Sequence, residues 1–163
     1  ANNYMGLAEP YTGETRVLHY LEVLRDVVGF DVLKQKVVKP LTGRKIGAYY
    51  GCLLLRPSGV MAFDDPENPR ILEDFLRALG AEPVIYPCRN ECCGGYISLK
   101  APETAQKLCR NITENAKGFE AECLVTACPL CKYNLSKNSE LPVVYFTELL
   151  AEALGVKEDS HGE

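Results

Sequence analysis

The chain contains no tryptophan, two methionines and two histidines in 163 residues. Neither His19 nor His161 neighbours a cysteine in sequence, which argues against a mixed cysteine–histidine zinc site. Both are expected to be solvated. An excess of cations is also missing: 18 Lys and Arg stand against 22 Asp and Glu, a formal net charge of −4. That balance removes the electrostatic footprint of a nucleic acid or an anionic membrane as partner. No apolar run approaches the roughly 20 residues of a membrane-spanning helix. The opening Ala1-Asn2-Asn3-Tyr4-Met5 has neither a basic stretch nor an apolar core, so no signal peptide is read there and a cytoplasmic location is expected. The first residue is not Met, which fits a processed protein or a piece cut from a longer one.

What remains is ordinary for a globular chain, with 47% hydrophobic and 25% charged residues. The eight cysteines are the unusual number. Secreted mini-proteins reach such counts through disulfides, but they are shorter and poor in core. In a reducing compartment, cysteine reads first as metal binding or redox chemistry.

Along the chain, Val17, Leu18, Leu21, Leu24 and Val28 recur at helical spacing, with Thr12 as candidate N-cap and Gly29 as candidate stop. After the Lys39-Pro40-Leu41-Thr42-Gly43 linker, strands and helices alternate. Strands are predicted at 45–51, 82–86, 123–127 and 142–146. Helices are predicted from Pro69 to Leu79, from Pro102 to Lys117, from Pro129 to about Ser136, and from a Thr147 cap to near Gly155. This alternation implies Rossmann-like βαβ units: an α/β fold whose open parallel sheet of about four strands carries helices on both faces. The expected organisation is an N-terminal helical segment (1–43) packed on a cysteine-rich α/β domain (44–156), then a loose polar tail (157–163).

The cysteines fall where strands end. Cys52 closes the first strand; Cys88, Cys92 and Cys93 follow the second; Cys128 and Cys131 follow the third. Ligands of open parallel sheets sit beyond the carboxyl ends of the strands, so these loops deliver thiols to one rim. A tetrahedral zinc site could use Cys128 and Cys131, whose gap suits a chelate. The adjacent pair Cys92-Cys93 fits one small ion poorly, because neighbouring side chains diverge. A cluster with several irons suits it better, each thiolate binding its own metal, and the candidates are Cys52, Cys92, Cys93, Cys128 and Cys131. Gly94 and Gly95 allow backbone N–H groups to approach such a cluster. Pro129 opens a helix whose positive end faces Cys128 and Cys131 and favours their thiolates. A thioredoxin-like dithiol on Cys128-Pro129-Leu130-Cys131 is a weaker reading.

Cys52, then Cys92-Cys93-Gly94, then Cys128-Pro129-Leu130-Cys131 resembles the cysteine-rich "CCG" domain found in the B subunit of heterodisulfide reductase and in some succinate, glycolate and lactate oxidoreductases. Three further stretches, 49–57, 64–69 and 145–150, are similar to the C-terminal such domain of the heterodisulfide reductase protein in particular. The spacing before Cys128 is slightly shorter than usual in that family. The resemblance implies a non-cubane [4Fe–4S] cluster on the same five cysteines, reductive cleavage of a small-molecule disulfide to two thiols, and partner iron–sulfur or flavin subunits. It covers one of the two such domains of the reductase protein, so the chain alone is expected to be incomplete for that reaction. Two other classes stay open: an electron-transfer component of another oxidoreductase, and a zinc-stabilised interaction module.

The remaining features have plainer expectations. Cys88 is a possible accessory ligand, although a thiol behind the ligands or facing solvent is the simpler reading. Cys109 lies on an apolar helical stripe and Cys123 opens a buried strand, so both are expected in the core. Arg56 and Arg89 follow rim cysteines; solvated surface positions are the default, contact with an anionic cluster the alternative. Gly47 reads as a packing glycine, since no G-x-G-x-x-G follows it.

Overall fold

In the computed structural model, residues 2–6, 8, 9 and 11–156 are described. The expected tail from Lys157 to Glu163, with His161, lies outside them. The elements in chain order are α1 (Asn2–Met5), α2 (Tyr20–Glu22) continued by a π-helical stretch (Val23–Val28), α3 (Phe30–Lys36), β1 (Lys45–Tyr49), α4 (Ser58–Met61), α5 (Ile71–Ala78), β2 (Glu82–Val84), α6 (Pro102–Gly118), β3 (Cys123–Thr126), α7 (Pro129–Asn138), β4 (Val143–Tyr145) and α8 (Phe146–Ala153).

The four strands form one parallel sheet in the order β2-β1-β3-β4. Burial on both faces makes β1 and β3 almost wholly apolar, as parallel strands require. Ile46, Ala48 and Val125 look to one side, into a core with α3, α5, α8 and the helical stretch before α3. Tyr49 and Leu124 look to the other, against Ile112 and Ala116 of α6 and Leu135 of α7. Phe75 centres the first core, edge-on to Phe146 at 5.9 Å. Each such fully buried side chain contributes about 1.5–3 kcal/mol. Gly47 is a packing glycine, as expected: a Cβ there would stand 2.7 Å from Leu124 Cδ2.

The first helix differs from its expected extent. Val17 is 90% exposed, so its helical spacing from Leu21 and Leu24 does not reflect burial. The helix begins instead at a capping box, in which His19 Nδ1 accepts the Leu21 N–H while Glu22 accepts the His19 N–H. His19 is therefore not solvated but half-buried, against Phe63 and Phe146. Gly29, at φ +83°, ends the π-helical stretch and opens α3, a helix the periodicity missed. At the other end, α8 starts at Phe146 with Tyr145 as N-cap, two residues before the predicted Thr147 cap.

The strand order sets the place for a site. From β1 the chain crosses to β2 on one side, and from β3 it crosses to β4 on the other. The loops after β1 and β3 thus diverge and leave a crevice at the carboxyl ends of these adjacent strands. Among the described residues, no helix is long and apolar enough to cross a membrane.

Candidate metal centre

Cys52 follows β1 through Gly51, whose φ of +67° suits glycine and whose Cβ would come within 3.0 Å of Cys131 Sγ. Cys128 follows β3 directly. It is the N-cap of α7, and its sulfur accepts the Cys131 N–H at 3.4 Å. The loop after β2 brings in Cys92 and Cys93. Three backbone anchors hold that loop to the β1 end: Tyr50 N–H donates to Arg89 O at 2.8 Å, Tyr49 Oη to Glu91 O at 2.7 Å, and Arg56 Nη1 to Asn90 O at 3.1 Å.

The five thiols line one pocket at the crevice. Cys52 and Cys92 sulfurs are 3.8 Å apart, and those of Cys93 and Cys131 are 3.7 Å apart. Leu53, Leu54, Tyr96 and Leu130 complete the wall with apolar surface. The cavity is about 40 Å³. A larger groove of about 690 Å³, lined by Pro129, Tyr133 and Tyr145 among others, carries no cysteine.

A zinc–sulfur bond of about 2.3 Å in a tetrahedron sets its sulfurs about 3.8 Å apart. Each sulfur pair meets that spacing. Yet among the described residues no three Cys, His, Asp or Glu side chains converge on a single ion position. Cys131 is hydrogen-bonded to Cys128 as well, so the sulfurs form one pair and one trio, a thiol-only donor set of the kind that zinc and iron–sulfur groups both use.

The surroundings favour thiolates at Cys93 and Cys128. The Cys131 thiol bonded to Cys93 pushes the latter down to about 6, against the opposing effect of burial and with help from Gly95 N–H, Asn134 and Tyr49. The same thiol, with its own N–H, pushes Cys128 down to about 6. Cys131 moves far upward, because it holds the proton between two thiolates. Burial and its bond to Cys92 push Cys52 up. Gly94, at φ +75°, donates its N–H to Cys92 Sγ at 3.3 Å, and a Cβ there would meet Ala105 Cα at 3.1 Å. A Cβ on Gly95 would press on Leu130 Cγ at 2.9 Å.

Cys88 is apart from the pocket wall: it is buried and accepts a bond from Asn111 Nδ2 at 3.6 Å. Cys109 and Cys123 are core residues, as expected. Arg89 is not a surface arginine. It is buried beside Glu73 at 3.0 Å, with Asn68 Oδ1 at 2.6 Å. Arg56 stays partly exposed but spends its donors on Asn90 O, Pro66 O and Glu67 rather than on a cysteine. Sequence reasoning missed Asn134, a buried amide that donates to Cys93 O at 2.6 Å. Its only signal was a helical step of three residues from Cys131.

The chain matches the family described as "Cysteine-rich domain", CCG, over residues 46–136. It is 36% identical over 157 residues to the 8-methylmenaquinol:fumarate reductase membrane anchor subunit of Wolinella succinogenes, covering 90% of this chain and 55% of that protein. It is 31% identical to a protein of Archaeoglobus profundus that is like the B subunit of heterodisulfide reductase, covering 91% and 55%. It is 29% identical to the B subunit of the ferredoxin:CoB-CoM heterodisulfide reductase of Methanosarcina mazei, covering 93% and 55%. The chain thus spans about half the length of these relatives, which are components of oxidoreductase complexes. The pattern of cysteines, the rim they share and the family match agree: this chain belongs to the cysteine-rich CCG domain family and is related to the B subunit of heterodisulfide reductase.

Proposed function

We propose that this chain is an iron–sulfur redox module of a heterodisulfide reductase-type complex, with Cys52, Cys92, Cys93, Cys128 and Cys131 holding a [4Fe–4S] cluster of the non-cubane type. The observation that carries the reading is the meeting of these five thiols in one pocket at the switch point of the sheet. Residues 44–156 are then the cluster-binding unit and residues 1–43 a segment packed on it. A cytoplasmic setting fits such a unit.

When bound, the cluster would supply electrons and a sulfur-binding iron to a substrate disulfide. The overall conversion takes one disulfide, two electrons and two protons to two thiols. The electrons come from partner iron–sulfur or flavin proteins. The chain's own residues supply thiolate ligands, a donor from Gly94 to Cys92, and the positive end of α7 behind Cys128. Leu54 and Leu130, partly buried, give one side of the pocket an apolar wall.

The test is a set of serine variants purified without oxygen. Serine at any of the five positions is expected to lower bound iron and change the cluster's spectrum. Serine at Cys88, Cys109 or Cys123 is expected to leave both as in the wild type. Retention of full iron in two or more of the five would refute the ligand set.

The relative that belongs to a fumarate reductase supports a second reading, in which the cluster passes electrons without touching a disulfide. Assays on the intact complex separate the two. Cleavage of a heterodisulfide with matching thiol release supports the first reading; fumarate reduction without thiol release supports the second.

A further inference from the structure

Asn134 lies on α7 beyond Cys128 and Cys131, at successive steps of three residues that place all of them on one face of the helix. It is 2% exposed. Its Nδ2 donates to Cys93 O at 2.6 Å and reaches Cys109 Sγ at 3.3 Å. Cys109 in turn donates to the same Cys93 carbonyl at 3.3 Å. The amide has one orientation. Asn138 Nδ2 donates to Asn134 Oδ1 at 3.1 Å and to Asn134 O at 2.8 Å, so the oxygen end is engaged and the nitrogen end faces Cys93.

We propose that Asn134 is a positioning residue for the cluster, fixing the Cys93 backbone and setting the positive end of its amide dipole beside that ligand so that the reduction potential is raised. The inference rests on the proposed cluster. Reduction adds negative charge to a cluster and its thiolates, and the positive end of a fixed dipole beside a ligating residue stabilises that charge. A buried amide dipole acts strongly, because little water screens it. Asn138 belongs to the same relay at one remove. It is half-buried at the end of α7, where substitution spares the core.

The experiment compares wild type, Asn134→Asp, Asn138→Ala and Leu135→Ala as anaerobic holoproteins. Iron, sulfide, melting temperature and an EPR-monitored redox titration are measured on each. Asn134→Asp is expected to keep wild-type iron and sulfide but titrate at a more negative potential, since a donor becomes an acceptor. Asn138→Ala is expected to shift the potential the same way by less. Leu135→Ala, a core truncation on the same helix, is expected to melt lower with an unchanged potential. A wild-type potential in loaded Asn134→Asp, or an equal shift in Leu135→Ala, overturns the inference. If Asn134→Asp does not fold, Asn138→Ala decides, and an unchanged potential there overturns it. Wild-type protein that lacks sulfide fails the parent reading and removes this one with it.

Discussion

A guanidinium taken out of water must find acceptors for its donors, and Arg89 does so with Glu73 and Asn68. Glu73 itself is pushed upward by burial, against the pull of the Tyr50 hydroxyl and of Arg89. Arg89→Met strands that carboxyl and loosens the loop that carries Cys92 and Cys93. The expected loss is about 3–5 kcal/mol, read by urea unfolding of the metal-free protein. A loss under about 1 kcal/mol, the range of exposed pairs, would show that the pair is not structural. At Gly94 the left-handed backbone and the close Ala105 Cα leave no room for a side chain. Gly94→Ala is expected to destabilise by about 1–3 kcal/mol and to reduce iron loading, measured together on one preparation. Cys128 offers a pH test. Its thiol is lowered to about 6, so the thiolate persists at neutral pH and is lost only as pH falls through that value. Alkylation of Cys128 in the metal-free protein, followed by mass spectrometry, should slow with a midpoint near 6. A midpoint near the ordinary thiol value of about 8.5 would contradict the hydrogen-bonded geometry.

Helices show where local sequence rules hold and where they do not. The four strands and the helices after them were legible, because both faces of the sheet are buried and Gly or Pro marks their ends. The five pocket cysteines were legible too, since strand ends in a parallel sheet converge on one rim. The segment before β1 was less readable. Its apparent stripe includes Val17, which stays in solvent, while the start of α2 depends on a histidine cap. Histidine is a weak cap signal, and only its pairing with Glu22 makes the box. His19→Ala is expected to cost about 0.5–2 kcal/mol, seen as a lower melting temperature. No change would mean that α2 is held by packing of Leu21 and Leu24 alone. Arg89 and Asn134 were illegible for a different reason. Their partners lie 16 and 41 residues away, and no periodicity reports such contacts.

At the scale of the molecule, one topological feature organises the rest. Because the chain leaves β1 and β3 in opposite directions, their ends open a crevice, and β2 sends its cysteine loop across β1 to reach it. Two cores on opposite faces hold that crevice rigid without supplying its chemistry. The cysteines therefore sit on loops fixed by the best-packed strands, an arrangement suited to ligands that must keep their spacing through a change of charge. On the proposed function, the full disulfide reaction draws on further protein, whereas cluster binding is expected of this domain by itself. The most direct measurement is iron, zinc and acid-labile sulfide per chain, on protein purified without oxygen. Iron and sulfide each near about four per chain are predicted. Zinc near about one per chain with no sulfide would contradict the account and leave a structural metal domain.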